Sequence, residues 1–257
     1  MRIPILLYHD FRPDNFDITK IEAKKRPYIM RDSAFDAQLK WLHENGYRTV
    51  GLDRSTWTER SVALVFDDGY KSNYQFAYPL LKHYSFMATF FVTVCDAGQP
   101  DMMTWDELRE MADKGMVIGS HSITHPYLPE LPDRGIRFQL EGSKKKLEAE
   151  LKRAVDYFSS PTGFYNKRVE KMAIEVGYKA ACFSRVRLSS QDSDPFALGK
   201  IGVKRSWDIE TFKAVVQGKN SAIVPMRLKQ VGRDVAKAML GRKRYERVRE
   251  AMLEKRG

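Results

Sequence analysis

Two carboxylates stand side by side at the end of an apolar run. Val62-Ala63-Leu64-Val65-Phe66 has no polar interruption and stops at Asp67-Asp68-Gly69-Tyr70. An unbroken apolar stretch of strand type fits a strand buried on both faces, as in a parallel sheet. In such sheets chemistry gathers at the carboxyl ends of the strands. Successive side chains of an extended chain diverge, so Asp67 and Asp68 suit different tasks. One can hold a metal ion while the other handles a proton. Gly69 permits the tight exit that keeps both exposed. Alone, the triplet reads equally well as a solvated turn, because Asp and Gly are favoured turn residues.

The second group is His121-Ser122-Ile123-Thr124-His125, two histidines four positions apart just past another apolar segment. From a turn or a first helical turn they can point at one centre, and imidazole is the commonest ligand for zinc-like ions. Two histidines and one carboxylate, with positions left for water and substrate, are the pattern of a hydrolytic metal site. Zinc is the first choice, and Co2+, Ni2+ or Fe2+ suit the same donors.

The elements that must position these groups alternate in type. Ile3 to Tyr8 reads as a buried strand ending at His9-Asp10, and residues 11–32 as an irregular loop. Ser33 is placed to cap a helix with Phe35, Leu39 and Leu42 on its apolar face, and Gly46 stops it. Tyr47 to Leu52 is a short strand, Asn73 to His83 a helix and Met87 to Val94 a strand. Thr104-Trp105-Asp106-Glu107 is a capping box that opens a helix to Lys114. Met116 to Gly119 and Tyr157 to Ser160 are strands on either side of a long polar helix, Arg137 to Ala154. Helix Lys167–Val176 and strands Tyr178–Phe183 and Gly199–Val203 complete the pattern. Alternation with short connections predicts parallel strands joined by right-handed crossovers. About seven or eight strands fit a closed or nearly closed barrel, an α/β fold.

The 257 residues, 43% hydrophobic and 12% aromatic, supply a core for one barrel or two small domains. Cys95 and Cys182 are too few for a disulfide framework, and buried free thiols are expected. The apolar run after Met1 is too short for a signal peptide and no stretch is long enough to span a bilayer, so the expected compartment is the cytoplasm. The net charge of +11 is uneven: residues 225–257 hold 11 Lys/Arg against 4 Asp/Glu. In this tail Leu228, Val231, Val235 and Met239 share a helical face, continued after Gly241 by Tyr245, Val248 and Met252. Such a basic amphipathic segment suits an anionic membrane surface, here the inner face, a helix packed on the barrel with a solvated back, or an oligomer contact. Nucleic acid is not expected, without a recognised binding fold or interleaved aromatics. The oligomeric state is not set by the sequence.

Asp67-Asp68-Gly69 followed by His121-Ser122-x-x-His125 resembles the polysaccharide deacetylases of carbohydrate esterase family four, the NodB homology domain. Phe66-Asp67-Asp68-Gly69-Tyr70, Tyr78-Pro79-Leu80-Leu81, Ala88-Thr89-Phe90-Phe91-Val92, Trp105-Asp106-Glu107-Leu108 and Gly119-Ser120-His121-Ser122 are similar to its consensus in order and spacing. Phe158-Ser159-Ser160-Pro161-Thr162-Gly163 resembles its third motif. The likeness covers roughly residues 1–205, within a barrel assigned to 1–224 and a basic helical tail assigned to 225–257. It implies a distorted (β/α)7-type barrel and metal-dependent removal of an N-acetyl group from an amino sugar. Asp68, His121 and His125 would bind the metal and Asp67 would be the general base. The usual Leu-x-His that supplies the general acid is missing, since no histidine follows His125. Tyr8-His9 resembles the branch with permuted motif order and makes His9 the acid. Ser160 stands where the family often has Arg or Tyr, which orients the base or lines the acetyl pocket, so another side chain must fill in or the pocket is altered. Tyr70, Ser160, Pro161 and Trp207 are the expected substrate contacts, Trp207 as a sugar-stacking wall or a core residue. A cytoplasmic member needs a cytoplasmic acetylated sugar, lipid-linked or nucleotide-linked. Hydrolysis of an O-acetyl ester or a non-sugar amide, or a non-catalytic sugar-binding relic, are the alternatives.

Overall fold

The apolar run at 61–66 forms a strand in which every residue is buried, and the barrel is assembled around it. The computed structural model describes residues 2–164 and 166–254. The first part of the chain gives β1 (Ile5–Tyr8), β2 (Phe11–Arg12), β3 (Met30–Arg31), α1 (Asp32–Glu44), β4 (Arg48–Thr49), β5 (Ser61–Phe66), α2 (Tyr78–His83), β6 (Thr89–Val92) and α3 (Trp105–Asp113). After these come β7 (Val117–Ser120), α4 (Asp133–Leu151), β8 (Tyr157–Ser159), α5 (Lys167–Val176), β9 (Ala180–Ser184), β10 (Leu198–Gly202), α6 (Ile209–Val216), α7 (Asn220–Leu240) and α8 (Arg242–Glu254). Seven parallel strands run in the order β1-β10-β9-β8-β7-β6-β5 and close through β1 against β5, with Tyr8 beside Phe66. This is the distorted (β/α)7-type barrel. β4 lies outside the ring, paired with the first residues of β5, and β2 and β3 form a separate small ribbon.

Side chains alternate along a strand, so closure produces two cores. Ile5, Leu7, Ala63, Val65, Phe91 and Leu198 fill the interior. Leu6, Tyr8, Leu64, Phe66, Phe90 and Phe158 face the helices. Continuing the inward rows by two residues brings Asp67 after Val65, Ser159 after Tyr157 and Lys200 after Leu198 to the carboxyl end of the barrel. The polar site thus caps the inner core.

Local chemistry moved several expected boundaries. α1 begins at Asp32 with Arg31 in the cap position; the Ser33 amide is taken by the Asp32 carboxylate, so Ser33 is not the cap. The segment 11–32 holds β2, β3 and two 3-10 turns rather than a plain loop. The strand expected at 47–52 pairs with β5 over Arg48 and Thr49 alone. Pro79 cannot donate a backbone hydrogen bond, and the expected helix at 73–83 opens with a π-helical turn, Asn73–Ala77, before α2. α4 starts and ends earlier than expected, and Lys152 closes it in the left-handed conformation. The Thr104 capping box is present with both of its hydrogen bonds. Cys182 is buried, but Cys95 is exposed.

α7 runs across position 225. Ile223 is buried and Ala222 and Met226 pack against the core. The opposite face leaves Leu228 67% and Met239 81% exposed, with Val231 and Val235 between them. Tyr245 departs from that stripe: it lines a cavity, with the Lys237 ammonium over its ring. No helix among the described residues is long and apolar enough to cross a membrane.

Phe66 is the outer-face residue next to the two carboxylates. It stacks on Phe90 at 4.5 Å between ring centroids and also meets Tyr8, Phe11 and Phe35. Phe66→Ala leaves a cavity among these rings and should cost about 3–5 kcal/mol, read as a lower urea midpoint at unchanged slope.

Candidate metal centre and active-site cleft

Three loops at the carboxyl ends of β1, β5 and β7 converge. Asp67 follows β5, and its amide donates to the Tyr8 carbonyl at 3.1 Å, which ties it to β1. The chain then turns through two left-handed residues, Asp68 (φ 77°) and Gly69 (φ 91°). At φ 91° a side chain on residue 69 would be strained, so the turn favours glycine. His121 follows β7, its amide held by the Val92 carbonyl at 2.9 Å. Ser122 (φ 69°) and His125 (φ 52°) are left-handed as well. Three non-glycine residues in that conformation within one site indicate backbone held for function rather than for local comfort.

The 121–125 loop is clamped from below. Gln139 of α4 accepts from the amides of Ile123 and Thr124, each at 3.0 Å, and donates to the Thr124 hydroxyl at 2.9 Å. The Ser122 hydroxyl accepts from the His125 amide at 3.0 Å.

Nε2 of His121 lies 3.4 Å and Nε2 of His125 3.5 Å from Oδ1 of Asp68. One donor atom from each of the three falls within 4.8 Å of the others. Their donor atoms suit a divalent cation. The buried Nδ1 of His121 sits 2.7 Å from the Ser159 carbonyl, which can only accept, so Nδ1 donates there and the Nε2 edge faces the trio. Burial, then His121, lowers the pKa of His125. Burial would raise the Asp68 carboxyl, but His121, His9 and His125 outweigh it and hold it below the usual aspartate value. The trio offers one carboxylate oxygen and two imidazole nitrogens, a donor set that fits a divalent metal.

Asp67 belongs to a different network. Its Oδ2 accepts from the Lys200 ammonium at 2.5 Å and its Oδ1 from the Ser159 hydroxyl at 3.0 Å. Lys200 also donates to Ser159 Oγ, closing a triangle inside the barrel mouth. Lys200 is fully buried, with its ammonium 5.7 Å from the centre of the Phe91 ring. Burial alone would raise the Asp67 carboxyl; Lys200, then His121 and His9, outweigh it, and its pKa lies below the usual range. Oδ2 is 3.9 Å from His121 Nε2. Asp67 is therefore an ionised, fixed acceptor at the edge of the trio.

A cleft of about 450 Å³ opens over this arrangement. His9, Asp67, Asp68, His121, His125 and Trp207 all line it. His9 stands edge-on to Tyr28, with ring centroids 5.1 Å apart, and its buried Nδ1 has no hydrogen-bond partner. Burial lowers its pKa, against the pull of Asp68 and Asp67. Trp207 both lines the cleft and packs on the core. Three expected contacts lie elsewhere. Ser160 is buried and its hydroxyl donates to the Phe164 carbonyl. Pro161 is buried beneath the rim, and the next two residues, Thr162 and Gly163, line the cleft instead. Tyr70 is half-buried beside Asp68 and Asp10, where burial and those carboxylates raise its pKa, and it is not a lining residue.

Lys200, Ser159 and Gln139 are the groups the sequence reading missed. The signal for Lys200 was present: a lysine two residues after Leu198 in an apolar strand points into the barrel and must meet a carboxylate. It holds Asp67, whereas the Ser160 hydroxyl is turned to the Phe164 carbonyl. Met226, Lys229, Gln230 and Arg233 of α7 also line the cleft, so the basic C-terminal segment forms one of its walls. Gln230 fixes α7 there, donating to the Ser184 carbonyl at 2.7 Å and accepting from the Val186 amide at 2.8 Å.

Residues 54–181 match the family model described as polysaccharide deacetylase. The Bacillus subtilis (strain 168) protein named "Putative polysaccharide deacetylase YxkH" is 30% identical over 224 residues, spanning 84% of this chain and 76% of that protein. A poly-beta-1,6-N-acetyl-D-glucosamine N-deacetylase of Staphylococcus aureus is 27% identical over 238 residues, 86% of this chain and 76% of that protein. Among solved structures, the Streptococcus pyogenes deacetylase PplD in complex with acetate superposes with a TM-score of 0.77 at 24% identity, over 84% of this chain and 98% of that one, a likeness of fold. Barrel, motif order and sequence identity agree: the chain belongs to the polysaccharide deacetylase family.

Proposed function

We propose that the chain is a metal-dependent carbohydrate N-deacetylase that releases acetate from an N-acetylated amino sugar in a glycan or glycan precursor. The observation that carries the reading is the Asp67 carboxylate, ionised and fixed by Lys200 and Ser159, at the edge of an Asp68–His121–His125 trio within one cleft. The name of the Staphylococcus aureus relative supports an N-acetylglucosamine polymer as the substrate type.

A divalent ion held by Asp68, His121 and His125, with zinc the first choice, supplies Lewis acidity and lowers the pKa of water. Asp67 takes the proton from the water that adds to the amide carbon, while Lys200 and Ser159 keep its two oxygens in place. When the carbon–nitrogen bond breaks, the departing amine needs a proton, and His9 is the side chain in the cleft that can deliver it. Trp207 offers a flat apolar wall for the sugar ring.

Chelator should abolish acetate release, and added zinc or cobalt should restore it. Asp67→Asn and His9→Ala should each lower kcat by about 10²–10⁴-fold with metal content unchanged. Near-normal turnover in His9→Ala would place the acid elsewhere. Release from O-acetylated but not N-acetylated sugars would replace the amide by an ester as the bond cleaved. Metal-loaded protein that releases acetate from neither would favour the non-catalytic relic.

Lys200 is proposed as a positioning residue for Asp67. Lys200→Met should lower kcat with KM and metal content retained, and Lys200→Arg, which keeps the charge, should recover part of the loss. Equal activity in Lys200→Met would show that Asp67 needs no partner to act.

We further propose that the outer face of α7 rests on an anionic membrane surface, on the cytoplasmic side, where the leaflet is negative. Leu228, Val231, Val235 and Met239 are exposed there, and Arg244 and Arg247 are exposed on α8 beside Val248 and Met252. Apolar area with flanking cations is what such a surface binds. The protein should float with vesicles rich in anionic lipid and not with neutral ones, and Leu228→Glu with Val235→Glu should abolish this. Wild-type protein that ignores both kinds of vesicle has no such contact.

A further inference from the structure

The catalytic cleft continues beyond the metal trio. Past Tyr28, Thr162, Gly163 and Arg233, which line both spaces, it runs into a second cavity of about 550 Å³ against α7 and α8. Arg185, Arg233, Lys237 and Arg249 line that cavity, with Asp234 the single carboxylate among its lining residues. Lys204 and Lys229 stand on the cleft side.

These cations converge. The Lys204 ammonium lies 3.2 Å from the centre of the Tyr28 ring. Burial lowers its pKa, Tyr28 draws it back up, and Arg233 and Arg249 depress it further. Burial would raise the Tyr28 phenol, but Lys204, Arg249 and Arg233 bring it below its usual value. Both residues thus sense the same cations at one point. Like charges held together in a partly desolvated cavity cost free energy that an anion would offset. Guanidinium groups match phosphate oxygens in a two-pronged fork, and a partly buried ammonium adds a point charge.

We propose that this cavity is an anion subsite, and that the substrate is an N-acetylated amino sugar carrying a phosphate or diphosphate ester next to the reacting acetamido group. This rests on the deacetylase reading above and names its substrate class. A sugar with its acetamido group on one carbon and the ester on the next holds the two groups on neighbouring ring carbons. With the amide at Asp67 and the metal trio, the ester leads past Lys204 toward Arg233, and the carrier beyond it lies along Tyr127, Phe164 and Tyr245, which supply apolar walls.

The test uses the full chain loaded with divalent metal. Acetate release is measured from neutral N-acetylhexosamine oligosaccharides, N-acetylhexosamine 1-phosphate, a nucleoside diphosphate N-acetylhexosamine and the polyprenyl diphosphate N-acetylhexosamine in micelles. The phosphorylated substrates should exceed the neutral ones in kcat/KM by about tenfold or more, and the advantage should shrink as salt is raised. Arg233→Gln and Arg185→Gln should each reduce that ratio about tenfold, chiefly through KM, and Arg233→Lys should keep part of it. Lys40→Gln, which removes an exposed charge from α1, should leave the ratio as it is. Comparing the last two substrates tells a nucleotide carrier from a lipid one, and a preference for either supports the subsite. Neutral oligosaccharides cleaved as well as phosphorylated ones, with the ratio unmoved in Arg233→Gln, would overturn the subsite and leave the deacetylase intact. Acetate from none of the four would remove the deacetylase reading, and this one with it.

Discussion

A carboxylate inside a barrel needs a partner. Asp67 sits at the end of an inward-facing row whose preceding members, Ala63 and Val65, are apolar. An isolated charge there would be strongly destabilised, and removing one member of such a buried pair leaves the other uncompensated. Lys200 supplies the opposite charge and Ser159 the remaining hydrogen bond. These groups come from β5, β10 and β8, so the triangle requires the registers of three strands to agree. Ser159 enters the site twice: its hydroxyl holds Asp67, and its carbonyl sets the tautomer of His121. One serine therefore couples the proposed base to the metal trio.

The loops above the triangle give up local backbone preference for position. Asp68, Ser122 and His125 occupy the left-handed region, which side chains other than glycine rarely choose. Gln139 offsets this by taking two successive loop amides, so a polar residue on the buried face of α4 acts as scaffold for His125. Such support keeps ligands arranged before any ion or substrate arrives, which is where binding and turnover gain most.

α7 links this site to the surface. One face carries Met226, Gln230 and Arg233 toward the cleft, and the other presents Leu228, Val231, Val235 and Met239 to solvent. These sets lie half a helical turn apart, as the period of 3.6 residues requires. A helix of this kind can serve as a wall of the active site while its back remains open to another surface. The basic side chains on its inner face join Arg185 and Lys204 of the barrel in giving the cleft a positive continuation.

The sequence by itself determined the barrel and the four residues that meet at its mouth. The alternation of apolar runs and amphipathic helices dictated parallel strands, and Asp67, Asp68, His121 and His125 stand in contiguous motifs at strand ends, where local spacing already carries the geometry. The position of His9 at the end of β1 was legible for the same reason. Only the tertiary structure decided what those motifs lean on. Lys200 lies far from Asp67 in the chain, and nothing in either neighbourhood names the other; the pairing exists because ring closure brings β10 and β5 to the same mouth. The structure likewise turned Ser160 and Pro161 away from the cleft, let Thr162 and Gly163 take their place, and folded the basic segment onto the barrel as a wall. These are contacts between distant parts of the chain, and pattern and propensity do not encode which surfaces meet once the sheet has closed.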